Sequence, residues 1–228
     1  MTKAIVFDFN GTMFMDTDKQ RLSWDEFFLQ KIGRTLTDEE FLRDVCGPDT
    51  KLIIRRFYRP DLSDAQAAAL TEEKERIYRR LCREDAAHFC LASGLPEALD
   101  RLRARGVPMA IATGAGKSNM DFYFDAFHLE RWFDAQRVIY DDGTLPGKPA
   151  PDVYLRACKR LGLPPRECVV VEDAFAGIEA ANAAGVGAII AVASSNPRET
   201  LAALRGVRAV IDDYHGFEAV LAQCARDA

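Results

Sequence analysis

The chain opens with the stretch that constrains it most: Lys3-Ala4-Ile5-Val6-Phe7-Asp8-Phe9-Asn10-Gly11-Thr12. Four apolar residues in a row, broken by an Asp and closed by Asn-Gly, predict a short buried strand that stops at a turn. Similar apolar runs recur at Val107 to Ala112, Cys168 to Val171, Val186 to Val192 and Val207 to Ile211, with Arg137 to Tyr140 a further short candidate. Helical stretches separate them: Leu95 to about Arg105, Lys117 to Phe127, Pro151 to Leu161 and Ala176 to Ala184. Strands alternating with helices predict an α/β fold, a doubly wound parallel sheet with right-handed crossovers. Such a sheet gathers its ligand site at the carboxyl ends of its strands. Three of those ends are polar here: Asp8, Thr113 with Gly114, and the pair Glu172-Asp173.

Between Asp16 and about His88 the strand character disappears. Leu22, Trp24, Phe27, Phe28 and Ile32 fall on a rough helical stripe, and Thr37-Asp38-Glu39-Glu40 supplies a capping-box start. Leu52 to Phe57 and Ala65 to Leu81 read as further helices, the second opened by Ser63-Asp64. The expected organisation is a core of residues 1–15 and 89–228 with a small all-helical cap, 16–88, inserted after the first strand. Because the insert leaves the chain just beyond Asp8, the expectation is a lid over the pocket.

With 228 residues, 48% of them hydrophobic, the chain can bury one full core and a smaller second one. Its net charge of -5, with both signs intermixed, argues against nucleic acid or an anionic membrane as the main partner. The apolar N-terminal run is too short for a signal peptide, and Ala183 to Ala193 is too short and glycine-rich to span a bilayer. The expectation is a soluble, cytoplasmic protein, a monomer or weak homodimer. Cys46, Cys82, Cys90, Cys158, Cys168 and Cys224 form no CxxC pair and no zinc spacing with His, which reads as core thiols in a reducing compartment.

The polar strand ends suggest a chemistry. Asp8 is either a turn cap or a nucleophile that forms an aspartyl-phosphate. A carboxylate approaching a phosphate dianion needs positive charge nearby, and Lys148, in Gly147-Lys148-Pro149-Ala150-Pro151-Asp152, is the candidate cation. Glu172 and Asp173 can join Asp8 around a hard divalent cation, with Mg2+ favoured because it binds through few carboxylates plus phosphate and water. They can equally open the next helix. Thr113 and Gly114 offer a hydroxyl and N–H groups ahead of a helix, a natural phosphate cradle.

Read together, these four stretches in this order resemble the motifs of the haloacid dehalogenase superfamily, over the whole chain. Glu172-Asp173-Ala174-Phe175-Ala176-Gly177-Ile178 and Gly147-Lys148-Pro149-Ala150-Pro151-Asp152 are similar to the β-phosphoglucomutase-like and phosphoglycolate-phosphatase-like subgroup with a helical cap. The resemblance implies a Rossmann-like core and a Mg2+-dependent phosphohydrolase of small phosphorylated metabolites, sugar phosphates included. It implies Asp8 as nucleophile, Thr113 and Lys148 on phosphate, and Mg2+ held by Asp8, the Asn10 carbonyl and Asp173, with Glu172 nearby. Lys117 and Asn119 are similar to a Lys-Asn pair that faces substrate in the mutases.

One position departs from the family pattern. The residue two after the nucleophile, normally a second Asp serving as general acid, is Asn10. An amide donates a hydrogen bond but delivers no proton, so general-acid help worth about 10²- to 10⁴-fold is expected to be missing. Three alternatives follow: a mutase, a phosphonate-cleaving enzyme, or a phosphometabolite binder with little turnover. Asp16 and Asp18 are candidate substitute acids, and Lys51 a weakly placed candidate for the phosphonate chemistry. In the cap, Trp24 matches a mutase position while Gln20 and Asp49 do not, and Trp24 serves equally as cap core.

Overall fold

The computed structural model describes residues 3–45 and 49–224, so Cys46 lies outside the described residues. The chain divides into two compact units, Met1–Met15 with Leu91–Ala228, and Asp16–Cys90.

The first unit is a six-stranded parallel sheet in the order β3-β2-β1-β4-β5-β6. Its strands are β1 (Ala4–Phe7), β2 (Met109–Gly116), β3 (Val138–Asp141), β4 (Cys168–Glu172), β5 (Ala188–Val192) and β6 (Val207–Ile211). The central strands are apolar throughout, as expected of strands covered on both faces. Side chains of β1 alternate. Ala4 and Val6 pack with Val170, Ala112, Tyr154, Ala157 and Ile178, while Phe7 meets Phe133, Tyr214 and Phe217 at ring-centroid distances of 6.2, 6.4 and 6.1 Å. The helices of this unit are α5 (Leu95–Ala104), α6 (Lys117–Phe127), α7 (Asp152–Leu161), α8 (Phe175–Ala184), α9 (Arg198–Ala202) and α10 (Phe217–Cys224).

Register positions the site. The chain runs from β1 to β2 on one side and to β4 on the other, so the strand order reverses beside β1, where an open α/β sheet has its crevice. Phe7 pairs with Val171 and with Ile111, which brings Asp8 level with Glu172 and with Ala112, one residue before Thr113.

The second unit holds α1 (Thr17–Ile32), α2 (Asp38–Asp44), α3 (Thr50–Phe57) and α4 (Asp64–Glu84). The expected capping box forms between Thr37 and Glu40, and Ser63, read as the opening of α4, makes a second with Gln66. Trp24, Phe27, Phe28, Ile53, Ile54 and Ile77 make its core. Trp24 stacks on Phe28 at 5.2 Å and is therefore cap core.

Three features differ from the sequence expectation. β2 does not stop at Thr113 but continues through Gly116, with a register shift after Ala112 that pairs Gly116 with Asp141. The short helices α9 and α10 have no counterpart in the sequence reading. Cys82, Cys158, Cys168 and Cys224 are buried, but Cys90 is exposed, because it lies in a linker at the unit boundary rather than on a packed element. Among the described residues no helix is long and apolar enough to cross a membrane.

Candidate active site

At the carboxyl edge of the sheet, Asp8 from β1 and Glu172 and Asp173 from the end of β4 bring carboxylate oxygens within 4.8 Å of one another, all three side chains buried. Lys148 reaches them from the loop before α7. Its Nζ donates to Asp8 Oδ1 at 2.6 Å and to Glu172 Oε1 at 2.7 Å. Tyr154, on the first turn of α7, donates its hydroxyl to the same Glu172 oxygen at 3.2 Å, and the Ala174 N–H donates to Glu172 Oε2 at 2.6 Å.

Asp173 is held separately. Thr12 and Ser194 hydroxyls donate to its two carboxylate oxygens, each at 3.1 Å, and Asn196 donates to its backbone carbonyl. Two glycines make room for this crowding. A Cβ on Gly11, whose φ is +74°, would lie 2.2 Å from Asp173 Oδ2, and one on Gly177 would lie 1.6 Å from Glu172 Oε1.

The electrostatics follow from burial and charge. Burial, opposed by Lys148 and reinforced by Glu172, pushes the Asp8 carboxyl up to about 7. Burial and then the charges of Glu172 and Asp8 push Asp173 well above the carboxylate range. Burial works against the Lys148 ammonium, but Asp8 and Glu172 outweigh it and hold its pKa well above the ordinary value. Three carboxylates against one ammonium leave two formal negative charges in excess, in a hard-oxygen set of the type that suits a divalent cation. Glu172 accepts the most donors of the three, from Lys148, Tyr154 and Ala174, against Thr12 and Ser194 on Asp173 and Lys148 on Asp8.

The profile of the haloacid dehalogenase-like hydrolases matches residues 2–185. The chain belongs to this family. It is 33% identical over 193 residues to Protein CbbY of Rhodobacter capsulatus, spanning 82% of this chain and 84% of that one. It is 30% identical over 186 residues to the fructose-1-phosphate phosphatase YqaB of Escherichia coli, spanning 82% and 94%. Among solved structures, a HAD hydrolase of family IA, variant 3, from Entamoeba histolytica matches with a TM-score of 0.88 and 33% identity over 99% of this chain and 100% of that one. The protein is an enzyme, a haloacid dehalogenase-like hydrolase, and its parallel core and helical cap unit fit family IA.

The remaining predicted positions of this hydrolase are distributed unevenly. Thr113 is buried within β2, and its Oγ1 accepts the Ala115 N–H at 3.0 Å inside the stretch where the register shifts. Gly114 is exposed, with open space where a Cβ would stand. Asn119 is buried in the first turn of α6. Lys117 is not gathered with the carboxylates: it is exposed and pairs with Asp121 one turn along α6. Asn10 donates its Nδ2 to the Tyr123 hydroxyl at 2.9 Å, and Tyr123 stacks on Phe9 with ring centroids 4.3 Å apart.

In the cap, Asp16 is buried and accepts from the Tyr78 hydroxyl at 2.5 Å and from Gln20 Nε2 at 3.0 Å. Asp18 is exposed and pairs with Lys19. Sequence reasoning missed Tyr154, Tyr123, Thr12, Ser194 and Asn196. For Tyr154 a signal existed: a bulky polar-tipped residue on the apolar face of the helix that follows the Lys148 loop.

Proposed function

We propose that the protein is a Mg2+-dependent phosphatase of a small phosphorylated carbohydrate, working through a phospho-Asp8 intermediate. The observation that carries this reading is Lys148 bridging Asp8 and Glu172 inside the buried carboxylate cluster. A nucleophilic carboxylate and a phosphoryl group repel each other, and an ammonium shared between two carboxylates can turn to the incoming oxygens. The class of substrate is supported by the name of the E. coli relative, which acts on fructose 1-phosphate.

In this reading an Asp8 oxygen attacks phosphorus, the ester P–O bond breaks, and water then cleaves the acyl phosphate to restore Asp8. Lys148, the Thr113 hydroxyl and the N–H groups at Gly114 bind the phosphoryl oxygens as they shift from ester to acyl phosphate. Asp8, the Asn10 carbonyl and Asp173 are the residues that would hold Mg2+, which when bound supplies positive charge against the phosphoryl oxygens. Glu172 orients Lys148. Asn10, tied to Tyr123, supplies no proton to the leaving oxygen, so the proton comes from water and esters with acidic leaving groups react fastest.

Hydrolysis of p-nitrophenyl phosphate and fructose 1-phosphate with Mg2+ tests this. Asp8→Asn should abolish turnover of both, by on the order of 10³-fold or more, with the fold retained. Asn10→Asp should gain about 10²-fold on the sugar phosphate and little on the aryl ester. Full activity in Asp8→Asn would rule out the nucleophile assignment.

A further inference from the structure

Tyr154 occupies a place in the site that neither the sequence motifs nor the nucleophilic chemistry requires. The Lys148 loop runs straight into α7, and the third residue of that helix comes back beneath the ammonium: Lys148 Nζ lies 4.9 Å from the Tyr154 ring centroid. That is within range of attraction by the ring face. The side chain is fully buried, and burial and then the charge of Glu172 hold its pKa well above the ordinary value, so the phenol remains a neutral donor.

The ammonium has two obligations that conflict. An Asp8 oxygen held at 2.6 Å by a cation is a weaker nucleophile, so Lys148 must release Asp8 when a phosphoryl oxygen arrives. It must also stay near, or the phosphoryl charge is left uncompensated. Glu172 can hold it only if Glu172 is itself fixed, and three donors fix it: Lys148, the Ala174 N–H and the Tyr154 hydroxyl.

We propose that Tyr154 is a positioning residue, whose hydroxyl fixes Glu172 and whose ring face steadies the Lys148 ammonium as it passes from Asp8 to the transferring phosphoryl group. This rests on the roles given above to Asp8 and Lys148.

The test compares inhibition of p-nitrophenyl phosphate hydrolysis by orthovanadate, which resembles the transferring group, and by inorganic phosphate, which resembles the ground state, in the Mg2+-loaded protein. Tyr154→Phe keeps the ring and loses the hydroxyl; Tyr154→Leu loses both. The vanadate Ki should rise about tenfold in the first and about 10²-fold in the second, with kcat falling in step and the phosphate Ki rising no more than about threefold. Equal weakening of both inhibitors, or no weakening beside a lowered melting temperature, would make Tyr154 merely structural and overturn the proposal. If the Leu variant fails to fold, the Phe variant decides alone. A Lys148→Ala variant with wild-type kcat/KM would overturn the underlying functional reading; a Lys148→Ala defect beside an unchanged vanadate Ki in Tyr154→Phe would overturn only the role of Tyr154.

Discussion

Two lysines with largely buried side chains, Lys148 in the core unit and Lys74 in the cap, are accommodated in opposite ways. Lys74 donates to the neutral Gln20 Oε1 at 2.8 Å, pairs with Glu75 at 3.2 Å, and lies against the rings of Trp24 and Tyr78 at 5.0 and 5.5 Å. Gln20 and Tyr78 in turn donate to Asp16, so the network closes on itself. Lys148 instead faces carboxylates crowded within 4.8 Å, two of them with strongly raised pKa values. The cap network is internally satisfied and fixes a packing arrangement. The core cluster holds unbalanced charge in a rigid frame, the condition of a site built to receive a charged ligand.

The largest expected effect separates the two networks by pH. In the unfolded chain Asp8 titrates at its ordinary value, and in the folded protein at about 7. Between about pH 4 and 7 the folded state keeps a proton that the unfolded state releases, so stability falls as pH rises through that window, by on the order of 4 kcal/mol. Urea unfolding in EDTA from pH 4 to 8 should show this slope in the wild type and a shallower one in Asp8→Asn, where burial still holds Asp173 above its ordinary value, with Mg2+ restoring stability above pH 7. A wild-type slope matching that of Asp8→Asn would remove the strain from the core side of the comparison.

Next in size is Gly177→Ala. The added carbon would meet Glu172 Oε1 at 1.6 Å and must displace the carboxylate that holds Lys148. The expected result is a loss of about 2 kcal/mol in stability and about 10²-fold in kcat/KM, checked by denaturation and steady-state kinetics. Wild-type kinetics in that variant would show that Glu172 need not be held.

The smallest effect belongs to the cap. Lys74→Met leaves Gln20 Oε1 without its ammonium donor and should destabilise by about 1 kcal/mol, read by thermal melting. A loss of vanadate affinity in this variant would join the two networks and dissolve the contrast between them.

The elements that carry the site were legible because their signals are local. β1, β4 and β5 are apolar runs closed by turns, and Asp8 and the Glu172-Asp173 pair announce themselves as acids at strand ends. The reading faltered where tertiary context decides. Beyond Thr113 the residues Gly114, Ala115 and Gly116 carry no strand pattern, yet β2 persists through a bulge because β3 lies alongside it. α9, only five residues long, is too short for a periodicity to declare itself. Lys117 is close in sequence to Thr113, but an acid one turn away, Asp121, takes its charge. Tyr154 was harder to read for the converse reason: its place on the apolar face of α7 singles it out, but only the fold brings Glu172 against its hydroxyl.

The order of the strands in the sheet has a consequence for the order of events during synthesis. β1 precedes the other five strands and leads into Asp8, but its two neighbours, β2 and β4, are encoded after the whole of the second unit. The four buried residues Ala4–Phe7 must therefore wait without a partner while Asp16–Cys90, whose contacts lie within one continuous stretch, leaves the ribosome. Asp8 precedes Lys148 by 140 residues, and its surroundings are completed only when Glu172 and Asp173 arrive. The carboxylate cluster can therefore assemble only after β4 has been made.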